Sequence, residues 1–184
     1  LNRKYRIWNS GRRHLSFIEI MKNFANLVYS LDQTTKTNKK IELLASFFEN
    51  AINSDKLWCI ALFSGRRPKR LISTSYLREW ACEVTKLPTW LLEDTYSVIG
   101  DLAETISLLT PEKNQFSEKS LTAWISELRQ LEKQSIEEKR HFVVNAWATL
   151  NKKECFVFNK LITGGFRLGV SQKLTLRAIS KITD

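Results

Sequence analysis

Apolar residues return along this chain at steps of three and four, in one segment after another. Phe24, Leu27, Val28 and Leu31 mark the first such face, and Ile41, Leu44, Ala45 and Phe48 the second. That spacing lines one side of an α-helix; a half-buried strand would instead repeat at every second residue. Further faces are Leu57, Trp58, Ala61 and Leu62, then Leu77, Trp80, Ala81 and Val84, then Trp90, Leu91 and Tyr96, then Leu102, Ile106 and Leu109. Leu121, Trp124, Ile125, Leu128 and Leu131 follow. After them come Phe142, Val143, Ala146 and Trp147, then Phe156, Phe158, Leu161 and Ile162, and finally Leu174, Ala178 and Ile179. Strand alternation is sustained nowhere, and six Gly and three Pro in 184 residues are too few breakers for a many-turned β fold. The expected fold is all-α, a single compact multi-helix domain over residues 21–184, and its 43 % apolar content suffices for one sizeable core.

Punctuation between these faces supports the same division. Thr37 or Asn38, Ser54, Ser73 or Thr74, Ser117 or Ser120, and Ser171 are candidate N-caps. Ser135 with Glu138, and Asn151 with Glu154, have capping-box spacing. Gly65 and Pro68 end the third helix, Pro88 suits the first turn of another, and Gly100 separates the next two. Residues 111–117 read as a loop. Residues 1–20 stand apart: Arg3, Lys4, Arg6, Arg12 and Arg13 face a single acid, Glu19. Such an Arg-rich leader has the composition of a transit peptide, but an extension upstream of a natural start at Met21 is the favoured expectation. The chain stops at Ile182-Thr183-Asp184 without a closing cap, which suggests a domain cut from something longer.

The formal net charge of +10 is costly for a compact domain and points to a polyanionic partner, nucleic acid ahead of an anionic membrane. No apolar run approaches the roughly 20 residues that span a bilayer. Cys59, Cys82 and Cys155 are odd in number and scattered, which makes neither a disulfide framework nor a zinc site; they read as small buried hydrophobes. His141, among Glu137, Glu138 and Arg140, reads as structural. The acids Glu93, Asp94, Asp101 and Glu104 read as solvated faces and ion pairs. No nucleophile, base and orienter assemble, so no catalytic residue and no metal site is expected.

Three basic segments are candidates for binding. Gly164-Gly165-Phe166-Arg167-Leu168-Gly169 precedes a helix that starts near Ser171. Glycines let a backbone approach a ligand closely, and the free amides of a helix start suit a phosphate. Gly164, Gly165, Arg167, Gly169, Ser171 and Lys173 are therefore candidate contacts, with Arg177 and Lys181 continuing the charge; a plain helix–helix turn with capping glycines is the alternative. It is not a Walker A loop, because no G-x-x-x-x-G-K-[ST] is present. Arg66, Arg67, Lys69 and Arg70 form a short connector stiffened by Pro68, either a nucleic-acid contact or a solubilising loop. Lys36, Lys39 and Lys40 beside Thr37 form a weaker cluster at a helix start, of which Thr37, Lys39 and Lys40 are secondary candidates and a solvated cap is the alternative. Trp58, Trp80, Trp90, Trp124 and Trp147 fall on apolar faces and read as core, not as stacking platforms.

The run from Phe158 to Ser171, with Leu174, Leu176, Arg177 and Ala178 after it, resembles the end of the N-terminal DNA-binding domain of ATP-dependent DNA ligases. Ala61-Leu62-Phe63-Ser64-Gly65-Arg66-Arg67-Pro68-Lys69-Arg70 resembles the bacterial branch of that family, as does Met21-Lys22-Asn23-Phe24-Ala25 through Leu31-Asp32. The resemblance implies stacked helices that hold nicked double-stranded DNA from its minor-groove side, mainly through phosphates and sugars, as suits an enzyme of replication, repair and recombination that acts at any sequence. It implies that the connector and the Gly-rich turn carry the contacts. It also implies remaining ligase domains as partners, a monomeric protein, a cytoplasmic, nucleoid-associated location in a bacterium, and ATP and Mg²⁺ as cofactors of the parent enzyme but none in this chain. Ligases form a lysyl-AMP at a K-x-D-G motif, and no Lys here is followed by x-Asp-Gly. This chain alone is thus expected to bind DNA without sealing it. The competing expectation is a helical scaffold whose basic loops bind acidic proteins.

Overall fold

The computed structural model describes residues 20–66, 69–111 and 118–183. Among them lie ten α-helices and no strand: α1 (Ile20–Asp32), α2 (Thr37–Asn50), α3 (Asn53–Phe63), α4 (Thr74–Thr85), α5 (Thr89–Ile99), α6 (Leu102–Leu109), α7 (Leu121–Gln130), α8 (Ile136–Thr149), α9 (Lys152–Thr163) and α10 (Gln172–Thr183). The fold is all-α. A single 3-10 turn, Leu131–Lys133, follows α7.

Helix α9 packs against α1, α6 and α7 and buries Cys155, Val157, Phe158, Leu161 and Ile162 among them. Phe158 meets Trp124 and Phe142 in edge-on and tilted contacts at 5.1 and 6.0 Å. Each fully buried aromatic contributes roughly 1.5–3 kcal/mol through apolar burial. Asn159, wholly buried in this face, accepts from Trp147 Nε1 at 2.7 Å and donates to the Ala103 carbonyl at 3.4 Å. Its amide thereby joins α9 to α8 and α6 while satisfying its own polar groups. A second aromatic group, Phe24, Phe47, Phe63 and Phe166, ties α1, α2 and α3 to the turn before α10. The buried apolar residues form one contiguous cluster from Met21 to Ala178.

Several boundaries are set by the side chains the sequence pointed to. Ser73 accepts from the Tyr76 amide, Ser120 from that of Ala123, and both capping boxes close. Ser117 lies outside the described residues. Two caps are corrected. Lys36, not Thr37 or Asn38, occupies the cap position of α2, and its amide is taken by Thr34 Oγ1 at 3.3 Å. Helix α3 is preceded by Ile52 in extended conformation and begins at Asn53, so Ser54 is already helical. In its first turn the wholly buried Asp55 reaches across to the start of α7 and accepts from Thr122 N (3.1 Å) and Thr122 Oγ1 (2.6 Å). A carboxylate there also meets the positive end of the α7 dipole.

The apolar faces need two corrections. On α3 the buried side is Asp55, Cys59, Leu62 and Phe63, and Leu57, about 200° of helix turn from Asp55, is exposed. On α5 Leu92 is buried, so Trp90, two positions earlier, is 70 % exposed and is not core. Trp58 is half-buried beneath the Arg129 guanidinium, 4.6 Å from its ring centre. Cys59 and Cys155 are buried, while Cys82 is only half-buried. No helix among the described residues is long and apolar enough to cross a membrane.

Candidate nucleic-acid interface

Helix α3 delivers the first basic segment. Gly65 takes φ +82°, its amide donates to Leu62 O (3.2 Å), and the Arg66 amide donates to Ala61 O (2.9 Å). This is the paired-bond helix ending for which a left-handed glycine is suited. It turns the chain sharply and leaves the Arg66 side chain in solvent. Arg67 and Pro68 lie outside the described residues. Lys69 pairs with Glu132 after α7 at 2.6 Å, on the exposed surface. That hydrogen bond, reinforced by opposite charge, raises Lys69 above the ordinary amine range and lowers Glu132 below the usual carboxylate range. Arg70 donates to the Thr163 carbonyl at 2.9 Å. A cation there meets the last carbonyls and the negative dipole end of α9.

Arg70 therefore brings the connector against the second segment. Helix α9 ends at Gly164, φ +84°, whose amide donates to Lys160 O at 2.8 Å. The Lys160 side chain is largely buried and paired with Asp101, the N-cap of α6. Beyond Gly164 burial alternates along the chain. Phe166 packs on Phe24 (5.9 Å) and Phe63 (6.2 Å), and Leu168 is buried, while Arg167 and Gly169 face solvent. A cleft opens between the two segments, lined by Gly65, Lys160, Gly164, Gly165 and Arg167 over a floor of Leu62, Phe63 and Phe166.

The third segment arrives from α2. Lys40 is buried, and its Nζ donates to the Leu168 carbonyl. Its burial does not fit the solvated cap that was the alternative for this cluster, and its nitrogen is turned to that carbonyl rather than into water. Thr37 and Lys39 stay exposed, and Lys39 pairs with Glu42 at 3.4 Å.

Helix α10 completes the surface. Ser171 caps it, its Oγ accepting from Leu174 N at 3.2 Å, which leaves the hydroxyl proton for an outside acceptor. Leu174, Thr175 and Ala178 face inward, against α2. Lys173, Arg177 and Lys181 all face solvent. Being four residues apart, they form one stripe with a step of about 6 Å along the axis. With Arg66 and Arg167 they make five exposed cations that pair with no described carboxylate. Lys181 was not among the candidates selected from the sequence as contacts, although its fourth-residue spacing from Arg177 was available as a signal.

Several of the described acidic residues are engaged in ion pairs. Arg78 binds Glu93 at 3.0 Å, Arg140 binds Glu83 at 2.7 Å and Glu137 at 3.0 Å, and exposed His141 lies 3.2 Å from Glu137. Among the described residues no group of three or more His, Cys, Asp or Glu is placed to hold a metal.

The family model described as the DNA ligase N terminus matches residues 21–180. No curated protein matches the chain.

Proposed function

We propose, for a chain that belongs to the DNA ligase N-terminal domain family, that its surface around the Gly164–Gly169 turn grips nicked duplex DNA through the phosphate backbone. The observation that carries this reading is convergence. Segments around residues 40, 70 and 164–173 are far apart in sequence, yet Lys40 and Arg70 both bond to carbonyls that bracket one turn. Exposed Arg167 lies within it, exposed Arg66 follows Gly65 at the adjoining cleft, and exposed Lys173, Arg177 and Lys181 lead away from it along α10. Cations held on rigid helix ends raise the local concentration of a polyanion and neutralise its phosphates without reading bases. The turn adds amides at the start of α10, where an anion is favoured by geometry and dipole together.

Under this reading the chain supplies grip and the sealing chemistry lies elsewhere in the parent ligase. A nucleotidyltransferase domain with its lysine nucleophile, ATP and Mg²⁺ would act on the nick that this domain holds. The domain acts as a monomer on one duplex.

The experiment is a titration of nicked and intact duplexes of several sequences at a series of salt concentrations. Binding should be sequence-tolerant, and its logarithm should fall with the logarithm of salt at about 0.9 per phosphate neutralised. If the five exposed cations that pair with no described carboxylate each neutralise one phosphate, the slope is near 4–5 by the same relation. Absent or salt-insensitive binding refutes the reading. A protein partner captured by the basic connector, with no DNA binding at low salt, would favour the scaffold instead.

A further inference from the structure

We propose that Lys40 is a positioning residue, which from inside α2 sets the backbone direction of the Gly164–Gly169 turn and thereby aims the amides and cations offered to DNA. The inference rests on the DNA-binding reading for its consequence, and on the turn's own geometry for its mechanism. Lys36 and Lys39 are in solvent, whereas Lys40 is 8 % exposed. Its Nζ reaches a carbonyl 128 residues further along the chain, that of Leu168. The Leu168 side chain is buried as well, so this residue turns both its side chain and its oxygen to the interior.

The next residue explains why such a contact fits. Gly169 takes φ +61°, and a Cβ added there would stand 2.9 Å from Lys40 Nζ. Glycine thus suits the left-handed conformation, and its bare Cα lets the Lys40 amine lie close by. Two residues later Ser171 caps α10, so Lys40 sits beneath the joint where the turn becomes a helix.

The electrostatic consequence follows from the peptide dipole. With the Leu168 oxygen held inward, its negative end points away from the face carrying Arg167 and Lys173. If the Leu168–Gly169 peptide rotated, that oxygen would point outward, toward an approaching phosphate, and the amide would point in. Lys40 is the donor that opposes this rotation. Being buried, it acts through the turn rather than by neutralising a phosphate itself.

The test uses Lys40→Met, which keeps the apolar stem and removes the donor, and Gly169→Ala, which disturbs the same joint from the side of the turn. Nicked-duplex affinity is measured at several salt concentrations, and backbone amide NMR shifts are recorded without DNA. Lys40→Met should weaken binding about tenfold, the scale of one net hydrogen bond. The salt dependence should run parallel to that of the unaltered chain, because no phosphate contact is removed. Amides from Leu168 to Ser171 should shift in the DNA-free protein. The double variant should bind about as well as the weaker single one, since both changes act on one joint. A salt slope shallower by about 0.9 would instead make Lys40 a direct phosphate contact and overturn the proposal. Lower melting temperature with unshifted turn amides and unchanged affinity below melting would overturn it too. If Lys40→Met does not fold, Gly169→Ala carries the same readouts. Should the unaltered chain bind no DNA while the turn amides still shift in Lys40→Met, positioning stands and the DNA-binding reading falls.

Discussion

Replacing Lys173, Arg177 and Lys181 together by Ala strips one face of α10 of charge and leaves its buried face of Leu174, Thr175 and Ala178 untouched. None of the three pairs with a described carboxylate, and all three are exposed to an approaching phosphate. If each neutralises one phosphate, the slope of log affinity against log salt becomes shallower by about 2.7. Between 50 and 200 mM salt, a fourfold change, the affinity of the unaltered chain then drops by roughly 40-fold more than that of the variant. Ala is the strongest helix former and the sites are exposed, so the melting temperature should stay close to its starting value. Fluorescence anisotropy with a labelled nicked duplex gives the slopes, and circular dichroism gives the melting curve. Lys69→Ala is the internal control: its charge already faces Glu132, so the slope should change by well under one. Parallel salt dependences for the triple variant and the unaltered chain would refute phosphate contact by this helix. Equal losses from Lys69→Ala and Arg167→Ala would refute the distinction between paired and unpaired cations.

Phe166→Ala should lower stability by about 2–4 kcal/mol in denaturant titration, because the ring is packed against Phe24 and Phe63 and leaves a cavity under the turn. Asn159→Leu strands the buried Trp147 Nε1–H and should cost about 1–3 kcal/mol, read from the same titration; a neutral result would show that the α8–α9 link is dispensable. Burial raises both Cys59 and Cys155, the latter to about 11, against roughly 8.5 for a free thiol. The unfolded chain therefore loses these protons first: stability is intact below the free-thiol value and falls as pH rises from there through the folded value. Cys155→Ala should flatten that alkaline decline. In native protein, half-buried Cys82 should react with a thiol reagent ahead of the other two.

The succession of helices was legible because each buried face repeats with the helical period, and that pattern survives whatever partner covers it. Ser73, Ser120, Ser135, Asn151 and Ser171 were legible for a similar reason: a cap bonds to an amide only three residues away. Lys36 displaced Thr37 at the start of α2 because its extended backbone and the Thr34 hydroxyl decide that entry, and both lie before the apolar pattern begins. Trp90 was misplaced because α5 is apolar on more than one side, and only its packing on α4 and α6 decides that Leu92 turns inward. The same indeterminacy left exposed Val98, eight residues after Trp90, unremarked. In the candidate site, the cations stood out as runs of charge. Their pairing with Leu168, Thr163 and Glu132 could not be read, because these contacts span 63 to 128 residues and leave no periodic trace.

The same positive charges have two occupations in this molecule, and that bears on which of them can be exchanged. Lys173, Arg177 and Lys181 project into water from a regular helix, where any long cation delivers charge to roughly the same place. Lysine and arginine should be interchangeable there, and a lost charge at one step can be restored at a neighbouring one. Lys40 and Arg70 are fastened to carbonyl oxygens of the turn or beside it and Lys160 to the Asp101 carboxylate, and at such fixed partners a planar guanidinium and a point-like amine are not interchangeable. A tally of basic residues would rank two variants of this surface as equal when one had kept its frame and the other had only kept its charge.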